Sequence, residues 1–274
     1  MVMKNKTTQI FIMFLLLGTW SLYARSGELT SQQMKEAVYL DGISVPSPGE
    51  IFAAINKVSR PNWSMLSHGG AAPTTTNRAQ LALAVGLLVT NGYIAVEAQD
   101  GQQVKNIGRD IMTLSKALGV SQNILSRGNN LIEFADHSEW DCLRQELEAT
   151  ENEVKNTMME QQDRNLVTLT SAGAWLRGLE VAAGIVVSNY SPEGAALLDE
   201  PALARHLAVD LEELSPKVKN DPLVIQVKET LIEIATILEQ QNHHVRQEAL
   251  SEIQGKASHM IEAIKTVPST NNAL

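Results

Sequence analysis

Residues 81–95, LALAVGLLVTNGYIA, and residues 173–187, GAWLRGLEVAAGIVV, decide the fold of this chain. Set 92 positions apart, they match at Ala82/Ala174, Gly86/Gly178, Leu87/Leu179, Val89/Val181 and Gly92/Gly184. Both stretches are apolar nearly all round, as a helix buried on every side should be. Arg177 and Glu180 interrupt the second, three residues apart, and read as an ion pair along one exposed edge. Glycine inside a helix costs about 1 kcal/mol relative to alanine. Its recurrence at matched places therefore reads as a packing device. Six residues at about 100° each separate the two glycines of a helix by roughly 120° around its axis. Gly86, Gly92, Gly178 and Gly184 are thus expected to admit neighbours from two directions. They cannot line the single seam made by small residues four apart in membrane dimers.

Working outward, apolar residues recur at intervals of three and four, and no series of alternating strands is visible. Ser47-Pro48-Gly49-Glu50 has a serine cap, a proline at the first helical position and a glutamate completing a capping box. The helix it starts carries Ile51, Phe52, Ile55 and Val58 and stops before Pro61. The tract 69–76 is a loop. After it, Asn77 or a threonine before it caps the first glycine helix, and Asp100-Gly101 marks a turn. Val104, Ile107, Ile111, Leu114 and Leu118 form one side of the next helix, which Gly119 ends, and Ser121 caps its successor. A long acidic helix with Trp140, Leu143, Leu147, Val154 and Met158 as its stripe runs to the region of Asp163. Beyond the second glycine helix, Ser191-Pro192, Ser215-Pro216 and Asp221-Pro222 are three further helix starts. The expected fold is all-α, a compact bundle of about seven or eight helices spanning residues 47–266. Matches at Leu118/Leu207, Val120/Val209, Leu125/Leu214 and Ser126/Ser215, now 89 positions apart, extend the likeness. They suggest two related halves, about 77–165 and 166–266, around the glycine helices.

The ends read differently. Lys4 and Lys6 precede an apolar run from Ile10 to Leu17 and a small residue at Ala24, the plan of a secretory signal peptide over residues 1–24. A membrane span needs about 20 predominantly apolar residues, which 10–23 do not supply. Export to a periplasm or the exterior is expected, with no membrane association after cleavage. An uncleaved, membrane-anchored envelope protein is the rival. Residues 25–46 read as a linker or loosely docked segment, and 267–274 as a disordered tail.

Loss of residues 1–24 would remove two lysines and no acids, leaving 20 basic against 31 acidic residues, a net −11. Such a surface repels phosphate backbones and argues against nucleic acid as a partner. Cys142 is the single cysteine, so no intrachain disulfide forms, which favours a bacterial periplasm over a eukaryotic secretory route. Cys142 itself reads as a small buried apolar residue.

None of the common catalytic signatures occurs: no Gly-x-Ser-x-Gly elbow, no His-Glu-x-x-His, no phosphate-binding glycine loop and no calcium loop. No catalytic residue, cofactor or metal site is assigned. Asp136-His137-Ser138-Glu139-Trp140-Asp141 and His243-His244 contain ligand-type side chains, but neighbours on a helix diverge by about 100°, and capping accounts for most of the former. The expected role is non-enzymatic binding or scaffolding, its partner a protein or small molecule of unspecified identity. The alternative is a small-molecule or metal-binding protein using the polar cluster at a helix junction: Glu97, Asp100, Lys105 and Arg109. That alternative requires these four side chains to converge on one concave site.

Overall fold

The computed structural model describes residues 45–67, 72–119, 124–160 and 163–266. The expected signal peptide, nearly all of the linker, the cap at Ser121, much of the 69–76 loop and the tail at 267–274 lie outside them. Among the described residues the chain is all-α with no strand. Nine helices among the described residues have eleven or more residues, exceeding the seven or eight expected. These are α1 (Pro48–Val58), α3 (Arg78–Glu97), α4 (Gly101–Leu118), α5 (Ile124–Asp136), α6 (Trp140–Glu160), α7 (Arg164–Ser188), α9 (Pro201–Glu212), α11 (Pro222–Glu239) and α12 (Gln247–Lys265). Three short helical turns, α2 (Trp63–Leu66), α8 (Pro192–Ala196) and α10 (Pro216–Lys219), lie between them.

The local signals act as their chemistry requires. Ser47 Oγ accepts the Glu50 N–H at 3.2 Å while Glu50 Oε2 accepts the Ser47 N–H at 2.7 Å, closing the capping box of α1. Asn77, Asp100, Asp163, Ser191 and Asp221 cap α3, α4, α7, α8 and α11 with their side-chain oxygens. Gly119 ends α4 at φ 82°, a left-handed conformation that glycine adopts without steric cost. Two caps also join distant parts: Asn77 Nδ2 donates to Asp221 Oδ2 at 2.7 Å.

α3 and α7 form the hub. Every residue from 79 to 96 is buried, and α7 is buried along most of its length. α3 is long and apolar enough to cross a membrane, yet it is wholly covered by the rest of the bundle. The two helices run parallel where they touch: contacts climb both chains together, from Leu83 with Gly173 to Asn91 with Arg177. Their backbones meet directly. A Cβ on Gly86 would lie 2.1 Å from the Thr170 carbonyl oxygen, and one on Gly173 would lie 2.2 Å from the Leu83 carbonyl oxygen. Hydroxyls clasp the crossing from both sides. Thr90 Oγ1 donates to Ala174 O (3.1 Å) or to Gly86 O (3.2 Å), and Thr170 Oγ1 donates to Ala82 O (3.2 Å).

The remaining glycines of the repeated pattern meet side chains. Gly92 faces Leu147 of α6 and Ile107 of α4, Gly178 faces Ile51 of α1, and Gly184 faces Gln254 of α12. Each hub helix is therefore approached through its two glycines by different neighbours. The matched glycines do unlike work, however. Gly86 touches the backbone of Thr170, Ala174 and Gly173 at the hub crossing, whereas Gly178 lies under α1. The Arg177–Glu180 pair also departs from expectation. Its side chains are only 13% and 16% exposed, and Arg177 Nε donates to Asn91 Oδ1 at 2.9 Å while Ser258 Oγ donates to Glu180 Oε1 at 2.7 Å. The pair ties α7 to α3 and α12 instead of lining an open edge.

Around the hub, helices pack in two rings. α3 packs on α4, α4 on α5, α5 on α6, and α6 returns to α3. α7 packs on α9, α9 on α11, α11 on α12, and α12 returns to α7. α1 lies across both hub helices.

Candidate functional site

The four residues singled out at the α3–α4 junction engage separate partners. Glu97, the last residue of α3, accepts on Oε1 from Arg144 Nε (3.2 Å) and Nη2 (3.0 Å) and on Oε2 from Asn56 Nδ2 (3.0 Å). Trp63 Nε1 then donates to Asn56 Oδ1 at 3.1 Å, and Phe52 and Trp63 stack with centroids 4.9 Å apart. Glu97 thus anchors α1 and α2 to α3 and α6. Asp100 Oδ1 accepts the Gln103 N–H at 2.9 Å and so serves as the cap of α4. Lys105 Nζ lies 2.6 Å from Asp136 Oδ1 on α5, and that hydrogen bond and charge hold the Asp136 carboxyl below its ordinary range. Arg109 is exposed and donates to Asn106 Oδ1 at 3.1 Å. The structure joins Glu97 to α6 and Lys105 to α5, and Arg109 adds its charge to that of Lys105 beside Asp136.

The other ligand-type residues are also engaged locally. The Nδ1 of His137 lies 2.8 Å from Glu133 O, that of His243 2.9 Å from Asp199 Oδ2, and that of His244 3.0 Å from Asn242 O. Among the described residues no three His, Cys, Asp or Glu side chains are grouped to hold a metal ion. Cys142 is half-buried on α6; burial first, then the Glu139 hydrogen bond and charge, raises its thiol pKa and disfavours a reactive thiolate.

Between α1 and the α8–α9 connection the fold builds a groove that no sequence motif marks. Its volume is about 480 Å³. Pro46, Glu50, Ile51, Ala54 and Ile55 line one wall, presented by the turns that the Ser47 capping box sets in place. The opposite wall is Leu197, Leu198, Glu200, Ala202 and Leu203, where Pro201 opens α9. Ile55, Leu198 and Leu203 are buried, and Leu197 is 39% exposed beside them. Among the described residues the only charged lining residues are Glu50 and Glu200. Glu200 occupies the cap position of α9 without a capping hydrogen bond from its side chain. Such a concave, mainly apolar surface with few polar groups is the usual form of a small-ligand site. One wall begins at the Ser47-Pro48 start read from the sequence, and the other at Pro201, which is not among the helix starts read there. That these starts, some 150 residues apart, face each other follows only from the packing of α1 against α7 and α8.

No protein-family model, curated protein or solved structure shows significant similarity to this chain.

Proposed function

We propose that this chain is an exported, non-enzymatic helical binding protein of the periplasm or exterior, with the groove between α1 and α9 as its ligand contact. The groove carries the reading: it combines about 480 Å³ of concave apolar surface with two acidic rim residues. The polar cluster at the α3–α4 junction supports it indirectly, because Glu97, Asp100 and Lys105 already serve structural partners. The Lys4/Lys6 segment followed by an apolar run supports export.

We also propose that the body of the chain consists of two related halves, about 77–165 and 166–266. The supporting feature is the recurrence of one topology, a hub helix closed into a ring by three successors. In this reading Gly86 and Gly173 are the equivalent positions, 87 apart, in place of the sequence-matched pair 92 apart.

A thermal-shift screen of the purified protein and its Ala202→Phe variant against anionic, neutral and cationic small molecules tests the binding role. Ligands that raise the Tm of the parent and leave the variant unmoved are expected. A screen in which no compound separates the two overturns the groove as the site. Intact-mass measurement of the exported product is expected to give a start at Arg25; a product retained in the cell with residue 1 onward overturns export.

A further inference from the structure

We propose that the groove between α1 and α9 selects a small amphipathic organic cation, an ammonium head on an apolar body. This inference rests on the binding reading above and assigns the ligand its chemistry.

Three observations combine. First, the walls formed by Ile51, Ala54, Ile55 and Leu203 offer apolar area with no hydrogen-bonding side chain among them, so the ligand's body must be apolar to gain by entering. Second, among the described residues the charged lining groups are Glu50 and Glu200, and no lysine, arginine or histidine lines the groove. An anionic head would meet two like charges and, among the described residues, no cationic side chain, with only the first N–H groups of α9 to offer it donors. An ammonium head would make charge-assisted hydrogen bonds to either carboxylate. Third, both carboxylates have acceptor capacity to spare among the described residues. Glu200 makes no capping hydrogen bond there, and Glu50 uses Oε2 for the Ser47 N–H, leaving Oε1. A carboxylate carries about four lone-pair sites. Both glutamates are exposed, so their attraction is screened by salt and governs selectivity more than total affinity.

Isothermal titration calorimetry with octylammonium, octanol and octanoate, matched in chain length and kept below micelle formation, separates the contributions. Octylammonium is expected to bind saturably to one site, and more weakly at about 0.5 M salt than at about 0.05 M. Octanoate is expected to show no saturable heat over the same range. Glu50→Gln keeps the capping box, since glutamine serves at that position, and Glu200→Gln removes no existing contact. Each is expected to weaken octylammonium about threefold, and the pair about tenfold, with octanol unaffected, as exposed charge contacts imply. Ala202→Phe, with Ala54→Phe as a second filling variant if the first unfolds by circular dichroism, is expected to abolish binding. Octanol or octanoate binding as tightly as octylammonium, or no response to the glutamine pair, overturns the cation assignment while leaving the groove a ligand site. Failure of all three probes to bind in a manner sensitive to the filling variants overturns the assignment too. The broader screen above then decides whether the groove binds anything else.

Discussion

At the scale of single residues, the glycines separate by what a methyl group would strike. At Gly86 and Gly173 the obstacle is backbone of the opposite helix, at 2.1 and 2.2 Å, which cannot yield without driving the hub helices apart. Alanine at either is expected to destabilise the protein by about 3 kcal/mol or more in urea unfolding. Alanine at Gly178 meets only the tip of Ile51 at 3.2 Å and is expected to cost under about 1 kcal/mol, since side-chain movement and helix propensity offset each other. At Gly255, exposed within α12, a Cβ meets nothing within 4 Å, and Gly255→Ala is expected to stabilise by about 1 kcal/mol. If Gly86→Ala and Gly255→Ala prove equally mild, the backbone crossing is not as described. Tyr93 offers a second contrast. Its ring packs against α1 and its hydroxyl is buried without a protein partner. Burial and the charges of Glu151, Glu148 and Glu50 raise its pKa. Tyr93→Phe removes an unpaired polar atom and is expected to hold or raise stability by about 1 kcal/mol, read as the urea midpoint. The importance of glycine at 86 was legible in the sequence. What it meets was not, because Gly173 matches a leucine, Leu81, in the 92-residue alignment, and only the crossing geometry sets Gly86 against Thr170, Gly173 and Ala174.

At the scale of elements, the helix starts were legible because each rests on short-range chemistry: Ser47 with Glu50, Asp100 with Gln103, and Asp221 with Leu223 each close within three residues. What α1 and α2 dock against was not, since Asn56, Glu97 and Arg144 are joined across 41 and 47 residues. Glu97→Ala would leave Asn56 and Arg144 without that acceptor and loosen the α1–α2 segment. Trypsin cleavage after Lys57 is expected to quicken about tenfold, while the helicity of the rest is retained. Unchanged cleavage would show that the Phe52–Trp63 packing holds the segment alone. The surface ion pairs give the pH response. Asp136 beside Lys105, Glu212 beside Lys228 and Lys219, and Glu239 beside Arg205 all have carboxyl pKa values lowered in the folded chain. Their stabilisation is complete above the unfolded carboxylate value of about 4 and is lost as pH falls through the lower folded values. Asp110, raised by burial, acts oppositely: its folded form favours the proton, and stability falls as pH rises through the window above its ordinary value. Three groups against one predict a net loss of Tm on acidification below about pH 4, and a larger loss at low salt than at high salt.

At the scale of the whole molecule, the two rings share their hub through bare backbone, clasped threonines and the Arg177–Asn91 bond. Neither ring can shed the other without uncovering an entire apolar helix. One cooperative unfolding transition is therefore expected, with tryptophan fluorescence and far-ultraviolet circular dichroism coinciding. Two resolved transitions would mean that the rings fold independently. The all-α class was legible from periodicity, and the central place of the two glycine helices from their uniform apolarity. The groove was not, since nothing in residues 46–55 or 197–203 taken separately signals a cavity. The hub crossing also has an evolutionary consequence. Surface charges and even core leucines can drift among acceptable substitutes, but a position with no room for one carbon admits a single residue type. Glycines at 86 and 173, accompanied by threonines at 90 and 170, form a sparse four-point signature. Distant descendants of a common ancestor would still bear that signature after the rest of the sequence had lost its resemblance.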